Sequence, residues 1–176
     1  LANLKHRGGE GADNQTGDGA GITIQIPHDL FTSMNIALPT QGRYGTGLFF
    51  LPQDKKEAGY CLEQTQKMAS EEGLELLHTR RPEVNREAIG EIARQSMPDI
   101  TQVFITGGDM PQEELERKLY ILRRRLEKHI ADSRLAGKDV FYVVSLSTRT
   151  ITYKGLLTST QLRHFYQDLR DERAAS

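Results

Sequence analysis

Six of the sixteen glycines crowd between Gly8 and Gly21, in the stretch RGGEGADNQTGDGAG that opens at Arg7. Its end, Gly17-Asp18-Gly19-Ala20-Gly21, has the look of a loop that cradles phosphate. A dinucleotide fingerprint, however, needs a strand before the glycines and a helix after them, so that the helix N-terminus meets the pyrophosphate. Here the order is reversed. A helix-like LANLKH precedes and a strand-like ITIQIP (22–27) follows, and the final glycine of the fingerprint is missing. The favoured physical cause is a demanding turn in which at least one of Gly17, Gly19 and Gly21 takes a positive φ.

The remaining chemistry-bearing residues are sparse. Cys61 is the single cysteine, set within AGYCLEQTQK between Tyr60 and Leu62, with neither a base nor an oxyanion donor in the local pattern. A nucleophilic thiol needs a lowered pKa and a positioned partner, so Cys61 reads as a packing residue in a helix. The histidines at 6, 28, 78, 129 and 164 show no metal-ligand spacing. Arg123-Arg124-Arg125, with Arg117 and Lys118, has Glu113, Glu114, Glu116 and Glu127 for neighbours, which describes a solvated helix face rather than a nucleic-acid patch.

Composition narrows the class further. Twenty-three Lys and Arg nearly balance twenty-four Asp and Glu, so no bulk field draws the chain to nucleic acid or to an anionic membrane. No apolar run reaches the length of a membrane span. A lone cysteine excludes an internal disulfide and favours a reducing, cytoplasmic setting. Leu1 opens inside a helical pattern and ERAAS closes without a stop signal, so the chain is expected to be a fragment cut at both ends.

Several elements must position these residues. Strands are expected at 22–27, 46–52, 74–80 and 101–108, a short helix plus loop at 28–43, and helices at 54–72 and 86–95. From 46 to 108 they alternate as an α/β layer. The sharpest helix is 112–131, where Leu115, Leu119, Leu122, Leu126 and Ile130 recur at helical spacing. Residues 139–157 read as two strands with a tight connection, and 158–169 as a helix capped by Thr or Ser.

Taken together, some of these residues form a signature. His6-Arg7-Gly8, Gly11-Ala12-Asp13 and Thr16-Gly17-Asp18-Gly19-Ala20-Gly21-Ile22 resemble the HRG…GAD…TGDGAGI blocks of glutamate synthases. Glu116-Arg117-Lys118-Leu119 with Arg123–Arg125 resembles that family's FERKLxxxRKR helix. Ser145–Gly155 is similar to its SLSxRTIxYKG segment, and Phe165-Tyr166-Gln167-Asp168-Leu169 to its FYxDL. The middle departs: His78-Thr79-Arg80 and Arg81-Pro82 stand where the family usually has Gly-Trp-Arg and then Pro-Val.

The resemblance implies a partial class II glutamine amidotransferase domain over residues 1–176. Its fold would be α+β, an N-terminal-nucleophile hydrolase with a four-layer αββα sandwich, truncated at both ends. It implies glutamine hydrolysis by an N-terminal cysteine upstream of Leu1, with an oxyanion Asn-Gly pair beyond Ser176. Arg7 and Gly8 would line the pocket beside the nucleophile, and Asp18 would shape its wall. The parent would pass ammonia to a flavin domain that makes glutamate from 2-oxoglutarate. FMN and an iron–sulfur cluster are expected in that parent and no cofactor in this fragment. The implied partners are glutamine, the other glutamate synthase domains and a small reductase subunit, with no nucleic acid or membrane. The fragment itself is expected to be inactive. The competing expectation is a non-catalytic α/β interaction or regulatory module that keeps the amidotransferase framework.

Overall fold

In the computed structural model, which describes residues 19–175, the glycine segment leads directly into strand β1 (Ala20–Gln25). Its side chains alternate between half-buried and exposed, the period-2 signature of a strand with one covered face. Pro27 ends the strand and precedes a short helix, α1 (His28–Ser33), which buries Leu30 and Phe31. Strand β2 (Tyr44–Leu51) follows, then helix α2 (Lys55–Glu71). Asp54 caps α2 by accepting from the Lys56 and Glu57 amides, and Gly73 ends it at φ +74.

Next come β3 (Glu75–Arg80), α3 (Glu91–Gln95), β4 (Asp99–Thr106), α4 (Gln112–Ala131), β5 (Tyr142–Val143), β6 (Thr150–Gly155) and α5 (Ser159–Phe165). The α4 bounds coincide with those expected. Leu115, Leu119, Leu122, Leu126 and Ile130 are its buried stripe.

Two antiparallel sheets result, ordered β3-β4-β2-β5 and β1-β6. The strand–helix alternation between 46 and 108 is therefore present, but its pairing is antiparallel. Strand β4 inserts between β2 and β3, which the α2 crossover leaves pointing the same way. The molecule is a mixed α+β fold. One face of the larger sheet packs Phe49, Leu51, Val103 and Ile105 against the α2 and α4 stripes. The opposite face packs Tyr44, Leu48 and Phe104 with Ile151 and Tyr153 of β6 and with Phe31 and Phe165.

Three local expectations are corrected. Residues 139–157 do not form a strand pair with a tight connection, because β5 joins β2 whereas β6 joins β1 in the other sheet. Between them the chain runs beside β2, with Ser147 and Thr46 exchanging backbone hydrogen bonds at 3.2 and 2.9 Å. Gly47 permits this approach: a Cβ there would stand 1.6 Å from the Ser145 carbonyl oxygen.

The expected helix 86–95 is broken into a 3-10 turn (86–88) and α3, because Ile89 takes an extended conformation to bury its side chain. The helix expected to reach 169 stops at Phe165. Extended Tyr166 separates α5 from a 3-10 turn (167–170).

Two glycine substitutions should therefore move stability in opposite directions. Gly47→Ala drives a methyl into backbone and should cost about 3 kcal/mol, at the upper end for overpacking. Gly59→Ala lies in α2 with open space around the new methyl, and should stabilise by about 0.5–1 kcal/mol. Urea unfolding of both variants measures the contrast; equal effects would contradict it.

Candidate functional site

Arg7, Gly8, Gly17 and Asp18, the residues singled out at the glycine segment, lie outside the described residues. The description begins at Gly19, whose φ of +131 is the positive value expected within this run. Gly21 faces Lys154 across the β1–β6 ladder, where an added Cβ would meet the Lys154 Cβ at 3.0 Å and the Tyr153 carbonyl oxygen at 3.3 Å. The segment thus enters the fold through a strand held tightly against β6.

Beneath β6 lies a charged cluster that the sequence reading did not single out. Arg80, at the end of β3, pairs with both carboxylate oxygens of Asp168 in the 3-10 turn after α5. The Asp168 side chain is 3% exposed and that of Arg80 13%, so this pair is almost fully withdrawn from water. Tyr153 of β6 donates its hydroxyl to Asp168 at 2.9 Å. Burial, reinforced by the Asp168 charge, pushes the Tyr153 phenol above its usual range and keeps it a donor.

On the other side, Arg80 Nε donates to Gln102 Oε1 at 2.7 Å. Gln102 then donates to Thr46 Oγ1 at 2.9 Å, and Thr46 to the Val103 carbonyl at 2.7 Å. The Arg80 guanidinium also lies over the Phe31 ring, 5.2 Å from its centroid. Among the described residues, no buried side-chain nitrogen or oxygen lacks a hydrogen-bond partner.

A second tether joins two of the motifs. Glu116 of α4 accepts from both the backbone amide (2.7 Å) and the hydroxyl (2.6 Å) of Thr148. Arg123 and Arg124 pair with Glu127, and Arg125 reaches Glu71 and Glu72 of α2. Of the acidic neighbours expected for this arginine run, Glu127 pairs with Arg123 and Arg124, whereas Arg125 turns to α2 and Glu116 to Thr148. The signal for both tethers was present only as motif residues of no assigned role.

Cys61 is fully buried in α2. Burial, followed by the nearby Glu57 charge, pushes its thiol up to about 11, the opposite of nucleophile activation. No group of three or more His, Cys, Asp or Glu able to hold a metal ion occurs among the described residues. With one buried cysteine, they do not fit an iron–sulfur cluster.

The chain matches the family of class II glutamine amidotransferases over residues 1–176. It belongs to that family. It is 43% identical to the glutamate synthase [NADPH] large chain of Bacillus subtilis (strain 168) and 38% identical to the chloroplastic ferredoxin-dependent glutamate synthase of Oryza sativa subsp. japonica. Each comparison covers 98% of this chain and 11% of the relative. It is also 36% identical to the glutamate synthase [NADPH] large chain of Azospirillum brasilense, over 100% of this chain and 12% of the relative. The chain thus spans about a tenth of the length of these relatives. No helix among the described residues of this amidotransferase chain is long and apolar enough to cross a membrane.

Two measurements check the assignments within the amidotransferase framework. Asp168→Ala leaves the Arg80 charge buried and unpaired, and should cost about 3–5 kcal/mol in urea unfolding. The Arg80→Met/Asp168→Leu pair should cost less than Asp168→Ala, its remaining loss coming from the buried Tyr153 hydroxyl and Gln102 oxygen left without partners. A larger loss in the pair would show that these hydrogen bonds and not the uncompensated charge dominate. Separately, a thiol at about 11 is on the order of a thousandth ionised at pH 8. Iodoacetamide should therefore modify folded protein at least ~100-fold more slowly than free cysteine, and rapid labelling without unfolding would contradict the burial of Cys61.

Proposed function

We propose that residues 1–176 are part of the glutaminase domain of a glutamate synthase, one partial amidotransferase domain in a four-layer αββα sandwich. The observation that carries this reading is the family match along all 176 residues, with 43% identity to a glutamate synthase large chain. In the parent, a cysteine thiolate attacks the glutamine side-chain amide, ammonia leaves, and water hydrolyses the thioester to glutamate. The ammonia then serves reductive glutamate formation from 2-oxoglutarate in another domain.

Within this reading, Arg7 and Gly8 line the pocket, with the guanidinium holding the thiol and amine in geometry and offsetting developing negative charge. The nucleophile lies upstream of Leu1 and the Asn-Gly oxyanion donors beyond Ser176. The 176 residues alone are therefore catalytically silent. FMN and the iron–sulfur cluster belong to other parts of the parent, which also supply the remaining domains and a small reductase subunit as partners. The proposed compartment is the cytoplasm.

Two outcomes test the proposal. Purified chain should release no ammonia from glutamine above background, and a rate abolished by Cys61→Ala would overturn both the silence and the role of Cys61. In the full-length parent, Arg7→Ala should lower glutaminase turnover while sparing synthesis from free ammonia, which bypasses amide cleavage. A fully engaged electrostatic group is worth roughly 2.7–4 kcal/mol, about a hundred- to thousandfold in rate. Equal losses in both activities with a lower melting temperature would make Arg7 a structural brace.

A further inference from the structure

Where β4 begins, four cationic side chains surround a cleft of about 410 Å³. Lys55 opens α2, Arg81 follows β3, Arg86 sits in the 3-10 turn and Arg94 on α3. The one carboxylate lining the cleft, Asp99, is taken up by Arg81 through two hydrogen bonds of 2.8 and 2.6 Å. Arg94 donates to the Ile89 carbonyl at 3.3 Å and lies 3.7 Å from Glu91. Lys55 and Arg86 make no side-chain hydrogen bond or ion pair among the described residues.

This positive charge is concentrated against the sign of the whole chain, whose formal charge is −1. It also contrasts with α4, where Arg123, Arg124 and Arg125 each face a glutamate. Asp54 already caps α2, so the side chains rather than the helix N-terminus supply the field. Val84, Met97, Pro98 and Ile100 give the cleft an apolar part of its lining. The cleft volume lies in the range of small-molecule sites. Guanidinium forks pair naturally with phosphate oxygens, and an apolar lining takes up a flat organic body.

We propose that this cleft binds an organic phosphate carrying at least two negative charges. Lys55 and Arg86 hold the phosphates, Arg94 flanks them, and the organic body rests on Val84, Met97 and Pro98. The assignment does not depend on the reading of the glycine segment.

Calorimetry at low salt tests it with magnesium-free ATP, tripolyphosphate, adenosine and a hexaglutamate peptide. ATP should bind more tightly than tripolyphosphate, and adenosine should bind far more weakly than either. Arg86→Glu and Lys55→Glu should each weaken ATP by about tenfold or more, as expected for losing a charge-assisted contact. Arg117→Glu, an exposed change on α4 outside the cleft, should leave ATP affinity unchanged. Absence of ATP binding, or equal weakening by Arg117→Glu, would overturn the site. Equal affinity for tripolyphosphate would remove the organic body from the assignment, and hexaglutamate binding as tightly as ATP would reassign the cleft to an acidic protein partner.

Discussion

Withdrawing Arg80 and Asp168 from water together is the constraint on which much of this fold rests. Neither charge can be buried alone without a penalty of several kcal/mol, so β3 and the turn after α5 must meet in one geometry. Tyr153 brings β6 to the same carboxylate, and Gln102 with Thr46 extends the chain of donors into β4 and β2. Phe31 of α1 covers the guanidinium. One polar cluster thereby joins both sheets and helical segments far apart in sequence. Apolar packing around it supplies the bulk stabilisation, whereas the cluster selects the arrangement, because directed donors tolerate few alternatives.

That constraint gives a physical role to signature residues of this chain that have no obvious chemistry. Tyr153 falls in the YKG block, Asp168 in FYxDL, and Arg80 keeps the arginine of the segment whose Gly-Trp is replaced by His78-Thr79. The departure at 78–79 leaves the charged partner in place, and a register shift in β3 between Leu76 and His78 absorbs local irregularity. Glu116 does the analogous work for α4 by taking both Thr148 donors. Such residues are framework tethers in the described part of the chain.

Local features were legible from sequence because their causes are local. The α4 stripe, the extent of α2 and the strand pattern of β1 each have their causes within a few residues of the elements they define. The positive φ in the glycine run followed from composition alone, and the flanks of Cys61 sufficed to deny it a catalytic role. Sheet membership was not legible. β5 and β6 have ordinary strand patterns, and the glycine that lets the chain run beside β2 is about a hundred residues away from the segment it admits. The Arg80–Asp168 pair spans 88 positions, and each partner alone has the character of a surface charge. Arg7 and Gly8 were proposed as pocket residues through the resemblance alone, and they lie outside the described residues.

A chain of contacts nevertheless runs from the buried cluster toward the glycine segment. Asp168 fixes the Tyr153 hydroxyl, and Tyr166 donates its own hydroxyl to the Lys154 carbonyl at 2.8 Å. Successive residues of β6 are thus pinned from opposite types of group, a side chain and a backbone oxygen. Strand β1 follows β6 through its six-residue antiparallel register, tightened where Gly21 faces Lys154. A carboxylate in the core therefore sets the strand from which the glycine segment departs. Burying the ion pair with all its partners thus fixes the placement of β6 and, through the antiparallel ladder, that of β1.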